Sequence, residues 1–348
     1  MRKKVLCLML AVSLSISGVT PIAAKETIMV VNAASTEENV ITDTETIKLV
    51  QEMLNCIGYD CGTPDGIAGT NTKNTIIEYQ NSKGFNATGN ITSELLVSLY
   101  ADVKLVLDYG IGTYEDVLDA LYDNDDNCTS ASQQAANGAY RVADMLVLIT
   151  KGLDKRSKYQ SDIEDAQLTK MLSDSSCSSA PQQEINGLYR IVELLGVWAK
   201  EIDTGSNLSD IEDILTSLTT QNASCSSAPQ QAVNGSYRAV ELLNIIAKEL
   251  DTGEYSSDIA SAILSWDNND STSSSAVQQQ VNGLYTCVKL LNIIASEKDL
   301  LGENSSRIST VMSTFSTNDS SCEYAPQQVV NGYYRMTELL YIIADMYD

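Results

Sequence analysis

The segment Gln230-Gln231-Ala232-Val233-Asn234-Gly235-Ser236-Tyr237-Arg238 has close copies at Gln133 to Arg141, Gln182 to Arg190, Gln278 to Thr286 and Gln327 to Arg335. The central asparagines, Asn137, Asn186, Asn234, Asn282 and Asn331, lie 49, 48, 48 and 49 residues apart. A constant period over more than half a chain marks a repeat array, whose units bury their apolar faces mainly against one another. That requirement fixes the architecture of the C-terminal part before any other feature is considered.

Each unit reads as a helical hairpin. A shorter helix opens on a capping residue, as in Ser209-Asp210-Ile211-Glu212-Asp213-Ile214-Leu215, and a Ser-rich loop leads to a longer helix. Val117, Ile163, Ile211, Ile259 and Ile308 keep the period on the shorter helices. Pro181, Pro229 and Pro326 stand at the start of the longer helix, where a missing N–H loses no intrahelical bond. From there Val233, Tyr237, Val240, Leu243 and Ile246 make a broad apolar face to about Leu250, a helix ~33 Å long. The expected fold is all-α, with five tandem hairpins over residues 102–348 forming a short α-solenoid.

Asn-Gly in the middle of that helix needs an explanation. Glycine there costs about 1 kcal/mol relative to alanine, so its return in every unit predicts a second backbone passing close by. The asparagines, with glutamines three and four residues earlier, are expected to bond along the seam between units. Tyr140, Tyr189, Tyr237, Tyr285 and Tyr334 occupy one equivalent position among apolar neighbours and are placed in the same seam. The competing reading is a repeated sugar-binding stripe of exposed tyrosines. Arg141, Arg190, Arg238 and Arg335 each precede an acid by three residues, and the fourth unit changes both members together, to Thr286 and Lys289, so the two positions are expected to interact.

The N-terminus orders Arg2, Lys3 and Lys4 before an apolar run from Val5 to about Val19 and small residues ending at Ala24 and again at Ala33. This reads as a secretory signal over residues 1–33, cleaved after Ala24 or Ala33, followed by a polar linker over 34–42. The protein is expected to be secreted, to a cell wall or the extracellular space, and no later segment reaches the ~20 apolar residues of a membrane span. The formal charge is −24, and cleavage after Ala33, which removes four basic residues against one acidic, takes it to −27. Such a surface repels nucleic acid and anionic lipid. Of the eight cysteines, Cys56 and Cys61 flank a tight turn and could form a disulfide in an oxidising compartment. Cys128, Cys177, Cys225 and Cys322 share one repeat position, too far apart for bridging at the ~8 to 10 Å spacing of packed helices, and are expected to be small buried residues. Cys287 stands elsewhere in the fourth unit.

Residues 43–101 follow a different pattern. Ile47, Val50, Leu54 and Ile57 recur at helical spacing, the turn-rich run Gly62 to Gly69 follows, and two further helices are expected from Thr72 and from about Thr92. Gln51, Leu54, Gly58-Tyr59, the loop Asp65-Gly66-x-x-Gly69-x-x-Thr72, Ile76, Tyr79-Gln80, Gly84 and Thr88-Gly89 resemble, in order and spacing, the type 1 peptidoglycan-binding domain. Glu94 stands where that family often has threonine. The resemblance implies a three-helix fold and a partner in the glycan or peptide of the bacterial wall. Tyr59, Asp65, Thr72, Tyr79 and Gln80 are the polar and aromatic groups closest in sequence to the loop, hence the candidate ligand contacts.

Chemistry is limited by one omission: the chain has no histidine. Histidine-dependent zinc and Cys–His hydrolases of the wall are thereby excluded, although two carboxylates could still cleave a glycan. Asp123, Asp125 and Asn127 imitate the opening of a calcium loop, but Cys128 and Gln134 replace its glycine and final glutamate, so no metal is expected. No cofactor is expected. The sequence thus points to a non-catalytic protein that binds peptidoglycan through its N-terminal domain and presents the array as a spacer or as a surface for another secreted or surface protein. The alternatives are wall-glycan binding by the repeats and, more remotely, a hydrolase that works without histidine.

Overall fold

The computed structural model describes residues 40–347 except 127, 175, 176, 226 and 320. The signal segment, linker residues 34–39 and Asn127 lie outside the described residues. Two compact units divide the chain, residues 1–110 and 111–348.

In the first unit three helices, α1 (Thr44–Cys56), α2 (Thr70–Lys83) and α3 (Ser93–Tyr109), share one core. Asp43 starts α1 by accepting from the Thr46 N–H at 2.9 Å, and Thr92 starts α3 by accepting from the Leu95 N–H at 3.2 Å. Gly84 ends α2 in the left-handed conformation, φ 72°. Val50, Met53, Leu54, Ile76, Tyr79, Leu95, Leu99 and Val103 are fully buried, each contributing roughly 1.5 to 3 kcal/mol. Val103, past the expected boundary at residue 101, is buried as well, and the first compact unit runs to Gly110.

The second unit holds five hairpins: α4 (Tyr114–Asp126) with α5 (Ala131–Leu153), α6 (Gln160–Thr169) with α7 (Ala180–Ile202), α8 (Leu208–Ser224) with α9 (Ala228–Leu250), α10 (Ser256–Thr272) with α11 (Ala276–Lys298), and α12 (Ser305–Thr314) with α13 (Ala325–Asp345). Helices α6 and α12 run on into wider π-helical turns, Lys170–Asp174 and Phe315–Asp319. The backbone at Asp123 and Asp125 is helical, within α4, and not the loop a calcium site would need.

The array closes on itself. Helix α5 packs on α7, α7 on α9, α9 on α11 and α11 on α13, and α13 packs back on α5. Each short helix sits outside, against the long helix of its own hairpin and that of the hairpin before, with α4 resting on both α5 and α13. The long helices run parallel and form an inner ring. One continuous core joins all five units, and it includes the equivalent residues Leu146, Leu195, Leu243, Leu291 and Leu340, each at most 1 % exposed.

The mid-helix glycines make the closure possible. A Cβ added at Gly187 would lie 2.9 Å from the Ala139 Cβ, at Gly235 2.8 Å from Leu188, at Gly283 2.6 Å from the Ser236 Oγ and at Gly332 3.0 Å from Leu284. At Gly138 it would lie 2.8 Å from the Cβ of Tyr333, in the last helix. All five glycines therefore face the residue that follows the glycine on the preceding helix, and the first unit treats the last as its predecessor. Beside them the first glutamine of each repeat donates to the asparagine four residues on, for example Gln182 Nε2 to Asn186 Oδ1 at 3.1 Å and Gln133 to Asn137 at 3.2 Å. Gln133 also reaches Gln183 of the next unit at 3.2 Å.

Tyr140, Tyr237 and Tyr285 lie in joints between an inner helix and the outer helix of the next hairpin. Tyr237 stacks edge-on with Trp266, centroids 5.1 Å apart, and its hydroxyl donates to Asp270; Tyr285 does the same with Phe315 at 4.9 Å and donates to the Asp319 carbonyl. The Lys170 ammonium sits 5.5 Å from the Tyr140 ring. Tyr189 is half-buried and Tyr334 buried. Arginine and acid pair as the spacing requires, Arg190 with Glu193 at 2.6 Å, Arg335 with Glu338 at 2.5 Å, Arg141 with Asp144 at 3.5 Å and Arg238 with Glu241.

The cysteine expectation needs correction. Cys128, Cys177, Cys225 and Cys322 are half-buried free thiols at the rim, not core residues, because they fall in the loop before each inner helix. Each donates weakly to the carbonyl two residues on, and the second glutamine of the same repeat holds the cysteine carbonyl, as Gln183 does Cys177 at 2.7 Å. Among the described cysteines of the ring, Cys287 is the one in the core. The sequence reading also passed over Asp154, Asp203, Asp251 and Asp299, which end the inner helices and take N–H groups of the following turn, such as Tyr159 N on Asp154 at 2.8 Å.

Candidate functional site

In the first unit Gln51 holds the loop together. Its amide donates to Asp65 Oδ1 at 3.0 Å, the Ile67 carbonyl at 3.2 Å and Thr72 Oγ1 at 2.9 Å, and its oxygen accepts from the N–H groups of Asp65 and Gly66 at 3.1 and 2.9 Å. Gly66 takes φ 75° and lies so close to Thr44 that a Cβ would meet the Thr44 carbonyl oxygen at 2.7 Å. Asp65 accepts from the Ile67 N–H, and these bonds, the Gln51 amide first, hold its carboxyl below the usual range. Gln80 fixes the next loop in the same manner, through Gly89 N at 2.9 Å and the Asn90 carbonyl at 3.2 Å.

The candidate contacts consequently separate. Thr72, Tyr79 and Gln80 are buried, so as surface contacts they are corrected: their polar atoms are used inside the domain. The Tyr79 hydroxyl bonds Ser98 at 2.7 Å and Asp102 at 2.8 Å, and burial pushes its pKa upward. Asp65 is exposed and Tyr59 half-buried, the latter edge-on to Tyr79 with its hydroxyl on Ser82 at 2.8 Å. Two residues past Asp65 the loop presents Ile67, an apolar side chain 65 % exposed. The reachable surface is a rigid loop tip carrying one carboxylate and one apolar group, with an aromatic ring on the same domain. Cys56 and Cys61 are free thiols, and the turn between them is tied instead by Asn55, which accepts from Cys61 N at 2.8 Å and donates to the Gly62 carbonyl at 2.9 Å.

Residues 43–99 match the family model described as a putative peptidoglycan binding domain. The first unit is of the peptidoglycan-binding type. The match ends before the helical ring begins, and no curated protein and no solved structure was found to match the chain. The matched residues include the pinned loop and the two loop-fixing glutamines, Gln51 and Gln80.

The ring has a site of its own at one end. The first turns of all five inner helices surround a funnel of about 220 Å³, lined by alanine, valine, isoleucine and proline side chains together with Ser132, Glu184 and Gln280. Gln280 donates to Glu184 Oε1 at 2.5 Å and the Tyr333 hydroxyl donates to the same atom at 3.3 Å. Burial raises the Glu184 pKa to about 7, partly offset by those two bonds. Sequence reasoning missed this group. Its signal was a charged residue on the apolar face of one repeat where the others carry alanine, valine or glutamine.

No described helix is long and apolar enough to cross a membrane. Among the described residues no group of three or more cysteine, aspartate or glutamate side chains is placed to hold a metal ion.

Proposed function

We propose that this is a secreted, non-catalytic protein of the bacterial wall, docked on peptidoglycan by its first unit while the helical ring serves as a rigid spacer or as a surface for another secreted or surface protein. The family match over residues 43–99 carries the reading. The pinned loop supports it, since a fixed backbone loses little entropy on binding a polymer. Secretion rests on the basic, apolar and small-residue order at the N-terminus.

The test is sedimentation of the mature chain with purified peptidoglycan. The wild type should pellet, and Ile67→Asp, which adds charge at the loop tip without touching the core, should cut the bound fraction at least about tenfold, the effect of ~1.4 kcal/mol. Binding that ignores Ile67→Asp moves the contact away from the loop. Clearing of a wall suspension by the purified protein would overturn the non-catalytic assignment.

A further inference from the structure

The five-fold repeat is broken on the inner face of the ring. At one position the helices carry Ala135, Glu184, Ala232, Gln280 and Val329, and one turn deeper Ala139, Leu188, Ser236, Leu284 and Tyr333. The carboxyl, the amide and the phenol come from three different helices, α7, α11 and α13, and meet at Glu184 Oε1. Among the described residues both bonds to Glu184 fall on that atom, so Oε2 has no protein partner. A half-buried carboxyl with one oxygen left unbonded by the protein lines the funnel where alanine or valine serves the same position in other units.

We propose that the axial funnel binds a small neutral amide, an acetamido group, whose carbonyl oxygen accepts from the Glu184 carboxyl while its methyl rests on Ala135, Ala232 and Val329. Five parallel helices direct their positive ends at this mouth, which favours a carbonyl oxygen over an ammonium group. Burial keeps the Glu184 carboxyl protonated to about pH 7, so Oε2 has a proton to donate. The volume, about 220 Å³, equals the share of roughly seven liquid waters, enough for an amide head group and too little for a glycan chain. The acetamido substituents of wall amino sugars are the source that the wall reading supplies. That source rests on the wall reading, whereas the amide site rests on the funnel alone.

A ligand that accepts from the protonated carboxyl binds the protonated form. Affinity is then complete well below pH 7 and falls about tenfold for each pH unit above it. Titration of the mature chain with N-methylacetamide, N-acetylglucosamine, glucosamine and n-butylamine, followed by methyl NMR at pH 5.5 and 8.5, tests this. Both acetamido compounds should bind at pH 5.5 and weaken about thirtyfold at pH 8.5, the change expected for one proton lost near pH 7. Glu184→Gln, whose amide also donates, should keep the binding and lose the pH dependence. Ala232→Leu, which fills the funnel, should abolish it with an unchanged circular dichroism spectrum, and if that variant misfolds the pH behaviour of Glu184→Gln decides alone. Absence of binding by N-methylacetamide, equal affinity at both pH values, or n-butylamine binding that strengthens as pH rises would overturn the site. Binding of N-methylacetamide without N-acetylglucosamine supports the amide site and removes wall sugar as its source.

Discussion

Two residues decide how tightly the ring is drawn and how it responds to acid. A Cβ added at Gly187 would lie 2.9 Å from the Ala139 Cβ and 3.2 Å from its backbone carbonyl carbon, atoms that cannot rotate away, while one added at Gly235 would meet the Cγ and Cδ2 of Leu188, both at 2.8 Å, which a rotamer change can move. Alanine brings about 1 kcal/mol of helix propensity to either site, against a packing clash of roughly 1 to 3 kcal/mol. Gly187→Ala should therefore lower the urea midpoint clearly, and Gly235→Ala should change it little or raise it. Glu184 acts through protons. Unfolded, it ionises near its ordinary 4.5, whereas the folded ring holds the proton to about pH 7, so the folded state binds more protons between these values and loses stability as pH rises through the window. Glu184→Gln has no such slope: relative to wild type it should gain on the order of 3 kcal/mol on going from pH 4 to pH 8, read from denaturation at each pH.

At the scale of elements, the loop Gly62 to Gly69 of the first unit depends on a single amide of α1. Gln51→Ala leaves the buried Gly66 N–H and Thr72 hydroxyl without the Gln51 amide, which costs about 1 to 3 kcal/mol for such a group. The variant should lower the first unit's melting temperature and its recovery in the peptidoglycan pellet, with the ring's transition unchanged. The helices themselves were legible in the sequence, because apolar spacing, prolines at the long-helix starts and Asn-Gly all agree on one period. The close approach at glycine was legible for the same reason, since nothing else offsets its cost in a helix interior. The buried state of Thr72, Tyr79 and Gln80 was not, because residues that shape a loop and residues that touch a ligand share the same polar composition. Which tyrosine meets which outer helix was equally hidden, as that depends on how far one hairpin turns relative to the next. Glu184 was visible only as a departure from its own repeat, a signal that needs the face of the helix to be known first.

On the scale of the whole molecule, the closing contact between α13 and α5 is what the period did not reveal. A clue was present: the end units of an open stack carry a polar outer face, yet here the first and last copies keep the full Asn-Gly motif and the same apolar residues. Closure removes both ends, so the ring should unfold in one step and not fray unit by unit. Removing residues 303–348 exposes the facing sides of α5 and α11 together and takes away the partner of Tyr122, whose hydroxyl donates to Glu338 at 2.6 Å. That truncation should abolish the cooperative calorimetric transition of the ring instead of lowering it by one unit's share. A circle of this kind also counts its members. A duplication or loss of one hairpin would demand that every joint turn through a different angle, and the joints meet at glycines where an added Cβ would come within about 3 Å of the neighbouring helix. The gene can lengthen or shorten its loops freely, but the tally of helix pairs is locked.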